Sequence, residues 1–280
     1  MVALISGYFD DSQSTGAVWV LAGYVGYRNQ WDYFEELWGG ALDKHRVPYF
    51  HMREMAEPNG TFAKWIPPED HQGEVIAFFK DLVGALGKCG LRSFTSAVWI
   101  DDVNRFNREK GVGLEPYPLA AYACMSNVAL HYVDLPVTMT FDRVEKIDSK
   151  LAVARSYADS DKHLAPGLCD RIVTTPLPKG VTSREVRPMQ AADLIAWEYR
   201  NAFFKMRPWQ LLADRPTDDR EAMWQHYLQW TREATGRDPV LRKSLDALIA
   251  KMPSKGAVWD YHQICTTHEA KLGIWSKPAS

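Results

Sequence analysis

The stretch that decides the fold lies at residues 4–25 and reads LISGYFDDSQSTGAVWVLAGYV. Its apolar run at residues 4–9 ends in the turn-forming residues 10–16, and a second run rich in β-branched and aromatic residues follows over 17–25. This pattern predicts a β-hairpin whose first strand ends at Asp10.

The rest of the chain alternates between helical and extended patterns. Apolar residues at helical spacing predict helices over residues 29–41, 69–87, 118–132 and 189–204. Runs of β-branched and aromatic residues predict strands over 91–100, 137–141 and 171–177. After residue 207 the patterns are helical alone. We therefore expect an α/β domain over residues 1–206, with a helical C-terminal extension over 207–280 packed on it.

Composition narrows the classes of function. The 33 Lys and Arg residues nearly balance the 35 Asp and Glu residues, so the formal charge is −2 and no global basic field attracts nucleic acid or anionic lipid. The longest apolar stretch, residues 16–26, is far shorter than the roughly 20 residues that cross a bilayer. The first ten residues lack the basic leader of a signal peptide. We expect a cytoplasmic protein without a membrane span.

Several common catalytic motifs are absent from the sequence. It contains no G-x-S-x-G elbow, no P-loop and no G-x-G-x-x-G. The four cysteines are far apart and include no C-x-x-C pair, so neither a zinc cage nor a disulfide framework is indicated. Asp10 and Asp11 are adjacent, whereas a phosphatase of the haloacid type needs aspartates two positions apart.

Three aspartates occupy positions that local structure does not obviously require. Asp10 and Asp142 each follow an apolar strand pattern, and Asp193 lies in an apolar part of the last helix of the α/β region. Asp10 could simply start a turn, and Asp142 could pair with Arg143 at the surface. For Asp193 a buried carboxylate is costly unless it is paired, as in a salt bridge to Arg200, or binds a metal.

Together the three aspartates are more specific than any one of them. Carboxylates at the ends of two strands and on one face of a helix can converge at one rim of a sheet. Their mutual repulsion would be offset by a divalent cation with oxygen ligands, which favours Mg²⁺ or Mn²⁺ over zinc. Two such ions can activate a water and steady the leaving oxygen of a phosphodiester. The pattern predicts metal-dependent phosphodiester hydrolysis.

Four segments resemble, in the same order, motifs of the DUF3800 family. They are YFDDS at 8–12, FHMREM at 50–55, TFDR at 140–143 and MQAADLIA at 189–196. The resemblance covers roughly residues 5–205 and implies an RNase H-like mixed sheet flanked by helices, grouped with nucleases, integrases and resolvases. It further implies that Asp10, Asp142 and Asp193 form the acidic core of a site for Mg²⁺ or Mn²⁺, with nucleic acid as the partner.

RNase H-like sites often include a glutamate from an intervening helix. Glu54 is the first choice because it lies three residues after His51, a spacing that turns both side chains the same way on a helical turn. Glu35 and Glu36 are the competing choices. His51 could bind metal, move a proton or position a phosphate, or it could be a packed, hydrogen-bonded residue.

Further residues are candidates for contact with substrate. On helical spacing Gln190, Trp197 and Arg200 share a face with Asp193, and Ser12 follows the first aspartates. Gln190 could orient a carboxylate or a water, or could be an ordinary surface residue. Trp197 could stack on a base or pack in the core. Arg200 belongs to a modestly basic strip that could contact phosphates.

The status of the site defines two hypotheses. The first is a nuclease whose metal ligands are Asp10, Asp142 and Asp193, with Asp11 as a further ligand. The second is a catalytically degenerate regulatory module on the same fold that binds nucleic acid or protein. The second draws on Asp11 and Gln13, which replace the Glu and Gly of the usual DUF3800 opening.

Overall fold

The computed structural model describes residues 4–13, 18–56, 59–65, 70–133, 135–161, 167–211 and 255–259. In chain order their regular elements are β1 (Ile5–Gln13), β2 (Val18–Tyr27), α1 (Arg28–Lys44), α2 (Met52–Ala56), α3 (Gln72–Cys89), β3 (Arg92–Trp99), α4 (Ile100–Lys110), α5 (Pro116–His131), β4 (Val137–Phe141), α6 (Ile147–Ser160), β5 (Ile172–Pro176), α7 (Arg187–Leu211) and β6 (Lys255–Trp259). Short 3₁₀ turns lie at Gly60–Trp65, Leu168–Arg171 and Ser183–Glu185.

The strands form one sheet in the order β5-β4-β1-β2-β3-β6. β2 pairs antiparallel with β1 and β3, whereas β1 with β4, β4 with β5, and β3 with β6 are parallel pairs. Among the described strands, β2 alone therefore runs against the others. The predicted α/β class and mixed sheet flanked by helices are confirmed.

Each face of the sheet buries its own apolar cluster. α5 and α6 cover one face and α1, α3 and α7 cover the other. Side chains of a strand alternate between faces, and β1 follows this rule, since Phe9 belongs to the α5 cluster and Tyr8 packs on the α7 cluster. Asp10 and Ser12 accordingly face α7, and Asp11 faces α5.

The first strand does not end where the sequence predicts. β1 continues past Asp10 to Gln13, because β2 keeps pairing with it as far as the Gln13–Trp19 pair. On its other side, pairing with β4 stops at the Phe9–Phe141 pair. Asp10 is therefore a strand residue that pairs with β2 on one side and lies beyond the last β1–β4 pair on the other.

The C-terminal part differs from the predicted all-helical extension where it is described. α7 continues through Pro208 to Leu211, across the predicted boundary after residue 206. Residues 255–259 form β6, which pairs with β3, so this segment belongs to the sheet and is not helical. The predicted helices after Asp218 and Asp238 lie outside the described residues. None of the described helices has the length and apolar character required to span a bilayer.

Candidate active site

Asp10 and Asp142 are brought together by the pairing of β1 with β4. The main-chain N–H of Asp142 donates to the carbonyl of Phe9 over 2.9 Å, which continues the ladder by one step beyond the last strand pair. Because the two strands are parallel, the residues that follow Phe9 and Phe141 lie at the same edge of the sheet. Asp10 is buried, with 8% of its surface exposed, and Asp142 is half-buried.

Asp193 reaches this edge from α7. The helix packs on β1 and β2, and its residues Ala191, Ala192 and Leu194 are fully buried in the adjoining core. Oδ2 of Asp193 accepts a hydrogen bond of 2.6 Å from the main-chain N–H of Met52, the first residue of α2. The carboxylate therefore satisfies one of the unpaired amides at a helix start.

The three aspartates lie within electrostatic reach of one another. Burial raises the pKa of Asp10 well above its ordinary value, and the negative charges of Asp193 and Asp142 raise it further. Burial raises the pKa of Asp193 to about 6, with a smaller contribution from Asp142. Burial also raises the pKa of Asp142, while a hydrogen bond from the main chain of Arg143 lowers it. The structure thus gathers the three residues that the sequence singles out.

Asp11 lies near the same edge but on the opposite face of β1. Burial and, to a smaller extent, the charge of Asp142 raise its pKa to about 6, against the lowering effect of Lys150 of α6. The Nζ of Lys150 lies 5.6 Å from the ring centre of Trp19 and 5.4 Å from that of Tyr117. Asp11 is therefore linked to the group through Asp142 and through Asp10, whose pKa its charge raises, and it has Lys150 as a nearby cation.

The donor set suits a divalent cation in its chemistry. Its members are oxygen ligands, they are largely buried, and their negative charges oppose one another, which is the condition that a bound cation relieves. As the side chains stand, no three His, Cys, Asp or Glu residues of the described segments form a group that could hold a metal ion. The residues fit Mg²⁺ or Mn²⁺ by type.

His51 and Glu54 occupy different surroundings. The charged form of His51 lowers the pKa values of Asp142 and Asp193, which puts the imidazole beside that pair. Glu54, with 7% of its surface exposed, instead accepts a hydrogen bond of 2.8 Å from the Tyr49 hydroxyl and a second from the Arg184 guanidinium. Among the described contacts, Glu54 is linked toward the aspartates by His51, whose Nδ1 lies 3.5 Å from Glu54 Oε1.

Gln190 lies in the interior and not on the helix surface. Its Oε1 accepts hydrogen bonds from Trp38 Nε1 over 2.9 Å and from the Phe50 main-chain N–H over 3.0 Å. Its Nε2 donates to the Arg184 carbonyl over 2.7 Å. The side chain joins α1, the segment before α2 and the turn before α7. In this position the Gln190 side chain connects three segments of the protein and does not face a substrate.

Arg200, Trp197 and Ser12 surround the end of β1. The Arg200 guanidinium lies 3.7 Å from the ring centre of Trp197 and donates to the Gln13 carbonyl over 3.3 Å. It lowers the pKa of Asp193 through its charge, and the described contacts include no ion pair between the two. Ser12 is buried on the face of β1 that carries Asp10. These positions form one border of the aspartate group.

Sequence reasoning missed the contacts of Arg184 and Tyr49 with Glu54, since it placed Arg184 only in the basic strip that includes Arg200 and did not single out Tyr49. Arg184 lies 130 positions from Glu54, in a 3₁₀ turn whose capping box, formed by Thr182 and Glu185, marks the turn but not its contact with Glu54. Tyr49 lies just before the FHMREM segment, and its position was the one available signal.

Comparison with known proteins gives distant likenesses in fold. No family model matches the chain, so the resemblance to the DUF3800 family stays a prediction. No relative was found among curated proteins. Among solved structures, the chain is similar to Bst-RNase HIII in complex with Mn²⁺, with 14% identity, a TM-score of 0.40, and coverage of 90% of this chain and 71% of that one.

Two further solved structures are similar at the same level. A mutant protein of Bst-RNase HIII, with a single substitution, has 15% identity and a TM-score of 0.38, with 90% of this chain and 71% of that one covered. RNase HII in its complex with PCNA from Archaeoglobus fulgidus has 15% identity and a TM-score of 0.38, with coverage of 85% and 93%. Likenesses this distant carry no inference about activity, which must rest on the site itself.

Proposed function

We propose that the chain is a divalent-metal-dependent nuclease that hydrolyses phosphodiester bonds of DNA or RNA at the Asp10–Asp142–Asp193 group. One observation carries the proposal: carboxylates from β1, β4 and α7 lie at one edge of the sheet, where the charges of Asp142 and Asp193 raise the pKa of the buried Asp10 and Asp142 also raises that of Asp193. Burying like charges together costs free energy, and a site that retains them has a use for a cation.

Each residue of the group has a proposed role. Asp10, Asp142 and Asp193 would hold Mg²⁺ or Mn²⁺, and Asp11 would contribute from the other face of β1. When bound, the ion would supply Lewis-acid charge and a water of lowered pKa. Asp193 would keep its hydrogen bond to Met52, which orients the carboxylate.

The border residues would hold the polynucleotide. Arg200, stacked on Trp197, offers a fixed cation at the end of β1 for a phosphate, and Ser12 offers a hydroxyl on the same face as Asp10. His51 lies beside Asp142 and Asp193, where an imidazole can contact a phosphate oxygen or accept a proton from water. The chain's formal charge of −2 makes such local contacts necessary.

The direct test is cleavage by the purified full chain. Single- and double-stranded DNA and RNA would be incubated with Mg²⁺, with Mn²⁺ or with EDTA. Asp193→Asn keeps an acceptor for the Met52 N–H and removes the charge, so we expect a folded variant without cleavage. Asp43→Asn, at an exposed position on α1, is the matched control and should cut like the wild type. Equal cutting by Asp193→Asn would reveal a contaminating nuclease and contradict the proposal.

A second candidate function is favoured by the lack of a ready-made metal-binding group among the described residues. Because the described His, Cys, Asp and Glu side chains form no group ready to hold a metal, the chain could be a degenerate module that binds nucleic acid or protein without turnover. Metal titration separates the two functions. A specific site would stabilise the fold by about 2.7 kcal/mol at a metal concentration of about 100 times Kd. The degenerate module predicts polynucleotide binding with no such gain.

A further inference from the structure

A short chain of polar side chains leads from a surface pocket to His51. The pocket has a volume of about 740 Å³, and its lining includes Tyr49, Arg184 and Arg187. Glu54 lies beneath it, with its side chain largely buried between Arg184 and His51. The pocket and the aspartate group are therefore connected through Glu54 and His51.

The Glu54 carboxylate is held by two donors. The Tyr49 hydroxyl donates to Oε2 over 2.8 Å, and the Arg184 guanidinium donates to Oε1. The guanidinium also lies 5.3 Å from the ring centre of Tyr49, so the two donors support each other. A carboxylate engaged in this way by a phenol and an arginine has little freedom to rotate.

Hydrogen bonds fix the position of the turn that carries Arg184 relative to the segment that carries His51. Glu185 caps the turn by accepting from the Thr182 main-chain N–H over 2.7 Å. The Arg184 carbonyl accepts from Gln190, whose Oε1 accepts from the N–H of Phe50, the neighbour of His51. The buried side-chain amide of Gln190 thus holds both ends of the series of polar side chains that runs from Arg184 to His51.

The ring nitrogen that faces Glu54 is Nδ1. It is buried, has no hydrogen-bond partner of good geometry, and lies 3.5 Å from Glu54 Oε1. A buried imidazole N–H favours a partner, and the hydrogen bond made by one ring nitrogen decides which tautomer the ring adopts. A proton on Nδ1 leaves the lone pair on Nε2.

We propose that Glu54 is a positioning residue for His51 and that Arg184 and Tyr49 hold Glu54 in place. The carboxylate keeps the proton on Nδ1, so that Nε2 is the nitrogen available to the Asp142–Asp193 pair and to a phosphodiester there. This deepens the proposed nuclease function, on which the role of Nε2 rests. It also replaces the expectation that Glu54 is a fourth acidic residue of the metal group.

The test reads the His51 tautomer by nitrogen NMR of the full chain labelled with ¹⁵N-histidine. Spectra would be taken in EDTA about two pH units above the ordinary histidine pKa of about 6.5. His51→Asn identifies the His51 signals among those of the 8 histidines. We expect the Nδ1–H form in the wild type and a shift toward the Nε2–H form in Glu54→Gln.

Matched variants of the pocket complete the design. Arg184→Gln should loosen Glu54 and mix the two tautomers, whereas Arg184→Lys should restore part of the wild-type signal. Arg187→Gln is the control, because Arg187 lines the same pocket but contacts Glu35 at 3.2 Å and should leave the His51 spectrum unchanged. A wild-type Nε2–H signal, or a His51 signal that neither Glu54→Gln nor Tyr49→Phe alters, would overturn the proposal. If Glu54→Gln fails to fold, Tyr49→Phe and Arg184→Gln decide the matter alone.

Cleavage kinetics then separate this inference from the nuclease proposal. In an active enzyme Glu54→Gln should lower kcat by about 10- to 100-fold, with KM nearly unchanged. A wild type with the Nδ1–H form but no cleavage would reject the nuclease function and leave the positioning role standing. A wild type that cleaves but has the Nε2–H form would reject the positioning role and leave the nuclease function standing.

Discussion

The main-chain N–H of Met52 donates a 2.6 Å hydrogen bond to Oδ2 of Asp193, across 141 positions of the chain. One carboxylate therefore has two tasks, because it anchors the start of α2 to α7 and belongs to the acidic group. The segment that carries His51 is held beside the aspartates by this bond, so the geometry of the site depends on it.

Two substitutions at Asp193 should separate these tasks. Asp193→Asn keeps an acceptor for the Met52 amide, whereas Asp193→Ala leaves a buried N–H unpaired. We expect Asp193→Ala to have a free energy of unfolding lower than that of Asp193→Asn by about 1–3 kcal/mol. Urea denaturation of both variants measures the difference. Equal midpoints would mean that the bond contributes nothing to folding.

The raised pKa of Asp193 makes a prediction about pH. Its value in the folded chain is about 6, above the ordinary 3.8, so protonation favours the folded state. This contribution is fully present below pH 3.8 and is lost as pH rises through about 6. In EDTA, Asp193→Asn should match the wild type in Tm near pH 4 and exceed it at pH 7. The opposite trend would show that the carboxylate is stabilised as an anion by its partners.

Gln190 should matter for folding more than for chemistry. Gln190→Leu keeps a similar volume but leaves Trp38 Nε1 and the Phe50 N–H without their acceptor. We expect the free energy of unfolding to fall by about 2 kcal/mol or more, since each unpaired buried donor costs about 1–3 kcal/mol. Denaturant unfolding checks this, with Gln13→Leu at an exposed strand end as the control. Unchanged stability with weakened polynucleotide binding would instead support substrate contact.

Arg200 should affect binding and its dependence on salt. If its guanidinium contacts one phosphate, Arg200→Gln should weaken binding to all sequences and reduce the slope of log K against log salt by about 1. Fluorescence anisotropy with a labelled oligonucleotide in EDTA measures both effects. Arg105→Gln on α4, whose ion pair with Glu109 is exposed, is the control. An unchanged slope would place the polynucleotide elsewhere.

The aspartate group could be predicted because each member conflicts with its local pattern. Asp10 and Asp142 follow apolar strands, and Asp193 interrupts an apolar helix face, so each needs an explanation beyond secondary structure. The parallel pairing of β1 with β4 then brings two of them to one edge. Asp11 could also have been placed on the opposite face by the two-residue period of a strand.

Other features depend on contacts that no local pattern records. The pairing of Glu54 with Arg184 spans 130 positions and follows from the packing of α7 on the sheet. Residues 255–259, with the sequence KGAVW, become a strand because the edge of β3 is available to pair with them. The continuation of β1 to Gln13 likewise depends on β2 and not on its own turn-forming residues.

The shortness of β4 has a consequence for engineering. Past Phe9, β1 is supported by β2 on one side and opens on the other, because β4 ends at Phe141. The acidic edge is thus held rigid by β2, which continues to pair with β1, and is accessible because β4 ends. Adding two residues to β4 would cover this open side of β1 without removing any of the aspartates. The length of β4 therefore controls access to the site.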